Sequence, residues 1–372
     1  MTPNPGRVNV SAAAAATGGV VAGAPAGSIV PPSAGGGPWA AASRPGAPSI
    51  ASMLVPLIGL ALLASVPFFA GEYLQDLVVK IVILAIFALS LELLAGTTGL
   101  VSLGHAAFLG IGAYAAVLLA PKTGAGSLPV MLALSMLCAA AYALFVGALS
   151  LRTRGVYFIM VTLAFAQMAY FIFHDTKLGG GSDGIYLNVK PMLAGVLDLK
   201  DRNAFYFFAL GALAVTYGLL AALLRSRFGH ALAGIRVNEQ RMRAAGFRTY
   251  GYKLAAFVLA GALAGLAGFL IAVRDGFVNP EMLAWQESGT VLLMLILGGL
   301  GHLRGAVLGA LVFTLLKELY SSEGWVGPLA DHWQLTLGLT IIAFVATMPK
   351  GLIGLPAQLR RRPRPVEAAD DE

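Results

Sequence analysis

Four stretches of this chain run nearly or fully the width of a bilayer without an Asp, Glu, Lys or Arg: Leu54–Ala70, Val101–Pro121, Leu128–Leu151 and Leu254–Val273. About 20 residues of helix cross about 30 Å of hydrocarbon, so each run is long enough, or nearly so, to span. The composition agrees, with 58% hydrophobic and 12% charged residues, where soluble domains carry about 25% charged. The runs do not alternate polar with apolar residues, which argues against a membrane β-barrel. The expected fold is all-α: a polytopic integral membrane helix bundle of about 8–10 transmembrane helices. Candidate spans lie near 52–70, 76–95, 100–120, 128–150, 156–173, 205–224, 253–273, 288–300, 305–320 and 333–348.

Charge sets the expected orientation. The segment Arg225–Lys253 carries Arg225, Arg227, Arg236, Arg241, Arg243, Arg248 and Lys253 against one acid, Glu239. Basic residues near span ends stay in the cytoplasm. Counting outward from that segment puts Arg152, Arg154, Lys350 and Arg360–Arg364 on the same side, and the mixed-charge loop 174–203 on the other. The net charge of +7 is thereby a matter of topology, and no nucleic-acid partner is expected. Residues 1–49 are rich in Ala, Gly, Pro and Ser and read as a disordered cytoplasmic extension. The membrane domain is expected over 50–350, and a charged cytoplasmic tail over 351–372.

The basic segment is helix-prone. Glu239–Ala245 (EQRMRAA) consists of good helix formers, and Gly246 is a natural stop. A second feature is the sequence Gly298-Gly299-Leu300-Gly301-His302-Leu303-Arg304-Gly305 between two short apolar stretches. Such a glycine-rich break marks the discontinuous helices of transporters. Its alternative is a hairpin turn between tilted helices. Ionisable groups within spans are costly and therefore informative. Lys80, Glu92 and His105 stand out, and a structural Glu92–His105 hydrogen bond across the turn Ala95–Gly99 is expected. Gln167, mid-span, needs a partner on another helix or in a wet cavity. The glycines at 261 and 265, and at 301, 305 and 309, are spaced for close helix packing.

Catalytic signals are missing. The chain contains no GxxxxGK[ST] or CxxC, and its five histidines show no paired metal-ligand spacing. With a single cysteine, Cys138, no internal disulfide can form. No enzyme activity, metal or cofactor is expected.

Four ordered stretches resemble one family. They are Gly96–Ala120 (GTTGLVSLGHAAFLGIGAYAAVLLA), Arg154–Gln167 (RGVYFIMVTLAFAQ), Ala233–Gly268 (AGIRVNEQRMRAAGFRTYGYKLAAFVLAGALAGLAG) and Trp285–Ala310 (WQESGTVLLMLILGGLGHLRGAVLGA). They are similar to the LivM-type permease subunits of branched-chain amino acid ABC transporters. The resemblance implies a subunit that pairs with a homologous permease subunit (LivH-like) in the inner membrane of a bacterium. Two cytoplasmic ATPase subunits would bind below, and a periplasmic substrate-binding protein would deliver solute from above. It implies a coupling segment at Ile235–Gly246, with Arg236, Asn238, Glu239, Ala244, Ala245 and Gly246 as its positions. Candidates for the pathway and helix breaks are Gly99, Ser102, Gly104, His105, Gln167, Gly298, Gly299 and Gly301. The glycine-rich loop Leu178–Ile185 would face the binding protein or an outer gate. The chain departs from the family at His302 and Ala306, where a small hydroxyl residue and a Gly-Pro are usual. Two other functions stay open at this point: the same machine carrying urea or short amides, and a self-sufficient channel or secondary transporter.

Overall fold

The computed structural model describes residues 50–121, 126–187, 191–193, 197–322, 324, 327–348 and 351–354. The expected extension 1–49 and most of the expected tail lie outside them. The described residues from Met53 onward form one compact unit.

Helices dominate the described residues, as the uncharged runs require. They are α1 (Ile50–Phe69), α2 (Glu72–Glu92), α3 (His105–Leu118), α4 (Leu128–Ser150), α5 (Val156–Asp175) and α6 (Arg202–Arg225). A second set follows: α7 (Arg227–Val237), α8 (Glu239–Ala244), α9 (Thr249–Asp275), α10 (Trp285–Gly298), α11 (Leu303–Ser321) and α12 (Trp333–Thr347). Strands are confined to short connections. Gly126–Ser127 (β1) pairs in parallel with Pro191–Leu193 (β3), which pairs antiparallel with Leu197–Asp198 (β4). Ile185–Tyr186 (β2) pairs antiparallel with Phe277–Val278 (β5), which fastens the expected glycine-rich loop 178–185 to the end of α9.

The chain is an all-α polytopic membrane helix bundle. Among the described residues six helical segments are long and apolar enough to cross a membrane, and the α10–α11 pair adds a seventh if counted as one bent span. The expected 8–10 counted α1, α3 and the two arms of that pair separately. The stretch Ile58–Phe69 of α1 and the whole of α3 are apolar but shorter. α2 and α9 form the axis: 78% of the 18-residue apolar stretch of each is buried, against 22% of that of α5. Helices apolar on all sides belong in such a place. Small residues of α9 let α3 and α4 approach closely. A Cβ on Gly268 would collide with the carbonyl oxygen of Leu109 in α3, and one on Gly265 with the Ala139 Cβ of α4.

Hydrogen bonds fix which ends lie together. Arg202 at the start of α6 pairs with Glu72 at the start of α2, at 2.8 Å. Tyr73 donates to Glu318 near the end of α11. At the opposite end, Tyr250 of α9 donates to the carbonyl of Ala148 in α4 at 2.9 Å. There α7 and α8 join α6 to α9, so this is the basic end of the bundle. α10 and α11 meet at 113° across 299–302. Glu92, near the basic end of α2, touches Gly301 at their junction, while α11 finishes beside the start of α2. α11 therefore returns toward the end from which α10 set out.

α2 does not stop where its α-helical bonding does. Leu93–Thr98 continues it as a π turn, giving a 27-residue segment about 40 Å long. Gly99 then reverses the chain with φ 74°. α3 begins beside Ser90, about 12 Å back along α2 from Thr98. Residues 100–104 are thus non-helical backbone inside the bundle, which is tolerated where protein covers it. Ser102 and Gly104 are buried accordingly.

Candidate functional site

The basic end carries an exposed arm built from two helices: the expected helix at Glu239–Ala245 is α8, and the expected coupling segment Ile235–Gly246 begins in the last turn of α7. The arm breaks at Asn238. That residue adopts an extended backbone (φ −156°, ψ 99°), and its Oδ1 accepts the N–H of Arg241 at 2.9 Å. Asn is a preferred N-cap because its side chain satisfies one of the orphan donors of a first turn. α8 ends as its sequence demands. Gly246 takes φ 88°. Its N–H bonds to Arg243 O at 2.9 Å, and that of Phe247 to Met242 O at 3.1 Å. These are the two bonds of a Schellman stop.

Glu239 fastens α8 to the first turns of α9. Its Oε1 accepts from Arg243 Nη2 at 2.6 Å and from Thr249 Oγ1 at 3.1 Å, and its Oε2 accepts from Lys253 Nζ at 2.6 Å. Partial burial opposes ionisation of this carboxyl, but the bond and charge of Lys253, with Arg243 and Thr249, outweigh it and hold the group at about 2. The rest of the arm is presented outward. α8 buries no residue, Ala244 and Ala245 included. Val237, beside the break, is 84% exposed. α7 is anchored on its other side, where Leu232 and Ile235 are buried.

Arg236 reaches inward from α7. Its Nη1 donates to the carbonyl of Gly96 in the π turn. A π turn leaves carbonyls imperfectly paired and recurs at functional positions. The Arg236 stem lies against Gly99, where a Cβ would stand 3.3 Å from Cγ, and its Nη1 lies 3.7 Å from where a Cβ on Gly301 would be.

Glu92 opens the same turn. It is 1% exposed. Its Oε1 accepts the N–H of Gly301 at 2.7 Å, and its Oε2 has no hydrogen-bond partner among the described residues. Gly96 leaves the space that this carboxylate fills, since a Cβ there would strike Glu92 Oε1. The expected Glu92–His105 bond is corrected: His105 Nε2 lies 2.8 Å from Ser90 Oγ. Residues two apart on a helix diverge by about 200° around its axis, so Ser90 and Glu92 face different neighbours. The Ser90 hydroxyl hydrogen goes to Phe87 O at 2.6 Å, which makes Nε2 the donor in the His105–Ser90 pair. His105 stacks on Phe87 at 5.4 Å and meets Phe108 edge-on at 5.5 Å. Its Nδ1 has no partner among the described residues.

The glycine-rich break is a junction between packed arms. Gly299 and Gly301 take φ 107° and 91°. A Cβ on Gly298 would collide with Gly305 O across the pair. His302 stands at the N-cap position of α11, and its carbonyl accepts from Gly305 N at 2.8 Å and Ala306 N at 3.2 Å. The departures at His302 and Ala306 therefore still produce a regular helix start. Gly104 packs its backbone on that of Thr162 in α5 and donates to Ser102 Oγ at 3.3 Å. Gln167, by contrast, stays apart from this cluster. It is half-buried on α5 and makes no side-chain hydrogen bond among the described residues. Among the described residues no three His, Cys, Asp or Glu side chains are grouped to hold a metal.

Several contributors escaped the sequence reading. Ser288 of α10 accepts the N–H of Ala106 at 2.8 Å and so caps α3 from 182 residues away. Thr249, Lys253 and Ser90 likewise act through folding. Gly96 carried a local signal: a glycine one turn after a buried glutamate.

The family model described as the permease component of a branched-chain amino acid transport system matches residues 73–345. The LivM high-affinity branched-chain amino acid transport permease of Escherichia coli (strain K12) is 31% identical over 321 residues, covering 80% of this chain and 74% of that protein. The BraD permease of Pseudomonas aeruginosa is 24% identical over 306 residues, 77% of this chain and 97% of that one. The LsrC permease of an autoinducer 2 import system from Escherichia coli O9:H4 is 28% identical over 156 residues, 37% of this chain and 46% of that one. No solved structure matches.

Proposed function

Because this chain belongs to the family of branched-chain amino acid transport permease components, we propose that it is the membrane subunit of an ATP-driven importer of branched-chain amino acids in the inner membrane of a bacterium. A homologous permease subunit completes the pathway. Two ATPase subunits bind the basic, cytoplasmic end, and a periplasmic binding protein docks at the other. The observation that carries this reading is the α7–α8 arm. It is exposed, yet Glu239, Arg236 and the buried Leu232 and Ile235 fix it to the bundle. A short rigid helix beside an exposed apolar residue suits a groove on a motor domain. Closure of the ATPase pair then biases the pathway between outward and inward openings by moving that arm.

The test is uptake of labelled leucine into proteoliposomes holding the full set of subunits, with ATP inside or outside as the arm requires. ATP-dependent leucine uptake supports the proposal. Uptake of urea but not leucine overturns the cargo, and leucine flux through this chain alone without ATPase subunits overturns the mechanism. Labelling of a cysteine at Arg241 from outside intact cells overturns the orientation.

A further inference from the structure

Two hydrogen bonds from distant parts of the chain converge on a single turn. Arg236, the penultimate residue of α7, holds the carbonyl of Gly96. Glu92, four residues earlier on that turn, holds the N–H of Gly301 at the junction of α10 and α11. We propose that Glu92 and Arg236, joined through the π turn 93–98, are a strap by which displacement of the α7–α8 arm is passed to the α10–α11 junction. The proposal rests on the transporter reading above and names the positioning residues that serve it.

The geometry of the junction makes Glu92 its natural handle. Gly301 takes φ 91° and lies outside both helices, so its N–H has no helical acceptor and needs another. Glu92 Oε1 is that acceptor. Gly96 keeps the carboxylate in place by having no side chain of its own. On the far side, the junction is stiff. Gly298 and Gly305 touch backbone to backbone, and a Cβ on Gly309 would collide with Met294 O. Gly351, with φ 66°, packs its backbone against Gly299 N. A pull on Gly301 therefore moves both arms of the pair. The turn that receives the two bonds is itself π-bonded, a form that occurs frequently at functional sites. Arg236 also lies close to Gly99 and Gly301, so the arm, the turn and the junction meet within one side chain's reach. Only one carboxylate oxygen is used, since Oε2 has no partner among the described residues. The strap thus calls for an acceptor oxygen of the right length at Oε1.

This separates it from a general packing role. In the reconstituted full complex, Glu92→Gln keeps the acceptor and is expected to retain leucine uptake within about twofold. Glu92→Ala is expected to lose uptake more than about tenfold while ATP hydrolysis continues, so that the ATP used per leucine rises. Gly96→Ala, which drives the carboxylate out of its space, and Arg236→Ala, on the exposed arm, are expected to raise the same ratio. Either serves if Glu92→Ala does not assemble. A second readout is independent of cargo. With Cys138→Ser as background, spin labels at Gln240→Cys on α8, Leu300→Cys at the junction and Leu137→Cys on α4 report distances in nucleotide-free and ATP-trapped complexes; all three positions are exposed. The strap requires the 240–300 distance to stay constant while both change relative to 137, and requires Glu92→Ala to release the 240–300 distance. An arm that moves while the junction stays still in the unmodified complex overturns the proposal. So does normal coupling in Glu92→Ala, or loss of uptake in Glu92→Gln as complete as in Glu92→Ala. Wild-type leucine uptake tests the transporter reading, and the label distances test the strap, so the two fail separately.

Discussion

The axial body and the basic end of this bundle are held by opposite kinds of contact. Where α9 meets α3 and α4, glycines and alanines bring backbones together, and the fit is filled by apolar side chains with Gly261, Gly265 and Gly268 fully packed. Where the α7–α8 arm meets α2, α9 and the α10–α11 junction, long polar side chains span the gaps: Arg236, Glu239 and Glu92. Close packing has steep energetics and one arrangement. Hydrogen bonds from flexible side chains can lengthen, rotate and re-form. The difference assigns the body to structure and the basic end to motion, and substitutions in the two regions should fail in different ways.

The largest effect belongs to the body. Gly268→Val places side-chain atoms onto the Leu109 carbonyl, with no flexible neighbour to yield. Overpacking of this kind costs about 3 kcal/mol or more where backbone must move. The expected outcome is failure to recover a monodisperse protein in detergent, measured by size-exclusion profile and thermal unfolding. A normal profile would mean that α3 and α9 are less tightly packed than the structure describes.

Next comes the arm. Glu239→Lys replaces the acceptor of Arg243, Thr249 and Lys253 by a third cation. Insertion and yield should match wild type, because the substituted residue lies on α8, outside the spans. Leucine uptake should fall about tenfold or more as α8 loses its tie to α9. Copurification of the ATPase subunits at normal yield together with normal uptake would remove Glu239 from the coupling apparatus.

The same carboxyl gives a graded version of that test. Its value of about 2 lies below the ordinary 4.5. A depressed carboxyl stabilises the folded arm fully above about pH 4.5, and that contribution fades as pH falls from there through about 2. Hydrogen exchange in α8 and the first turn of α9, corrected for the intrinsic rate, should therefore be flat from neutral pH down to about 4.5 and accelerate below it. Glu239→Gln should start with faster exchange and lose that dependence. Identical profiles for the two proteins would show that the ion pairs do not hold the arm.

What could be read in the sequence divides along the same line. The spans were legible because a bilayer leaves a signature in every residue of a run, so α4 at 128–150 was bounded correctly to the residue. The stop at Gly246 was legible because a Schellman turn involves only neighbours. Asn238 was named as a coupling position, but not as the break in the arm; its cap depends on an extended backbone that helix-forming neighbours on both sides conceal. The partners of Glu92 and His105 were misassigned because the π turn 93–98 moves α3 back along α2. Nothing in the composition of LLAGTT distinguishes a π turn from an α turn. Contacts such as Glu92–Gly301, 209 residues apart, are set by the bundle and not by local pattern.

The smallest predicted effect probes where the two regions touch. α3 starts inside the bundle, and its Gly104 offers no capping side chain. Ser288 supplies the missing acceptor to Ala106 N from the first turn of α10. A side-chain cap on a helix start contributes about 1 kcal/mol, so Ser288→Ala should lower the unfolding midpoint by a few degrees, and Ser288→Thr should recover part of it. The bond also ties α3, a member of the packed body, to α10, an arm of the junction that the strap would move. If α10 moves as a unit with that junction, this bond must break or follow during transport. Ser288→Ala would then leave maximal uptake intact and alter its temperature dependence. If α10 is fixed to the body, uptake would change only in proportion to the loss of folded protein. Comparing uptake per folded complex across temperature decides between them, and so locates the boundary between the part of the molecule that moves and the part that holds still.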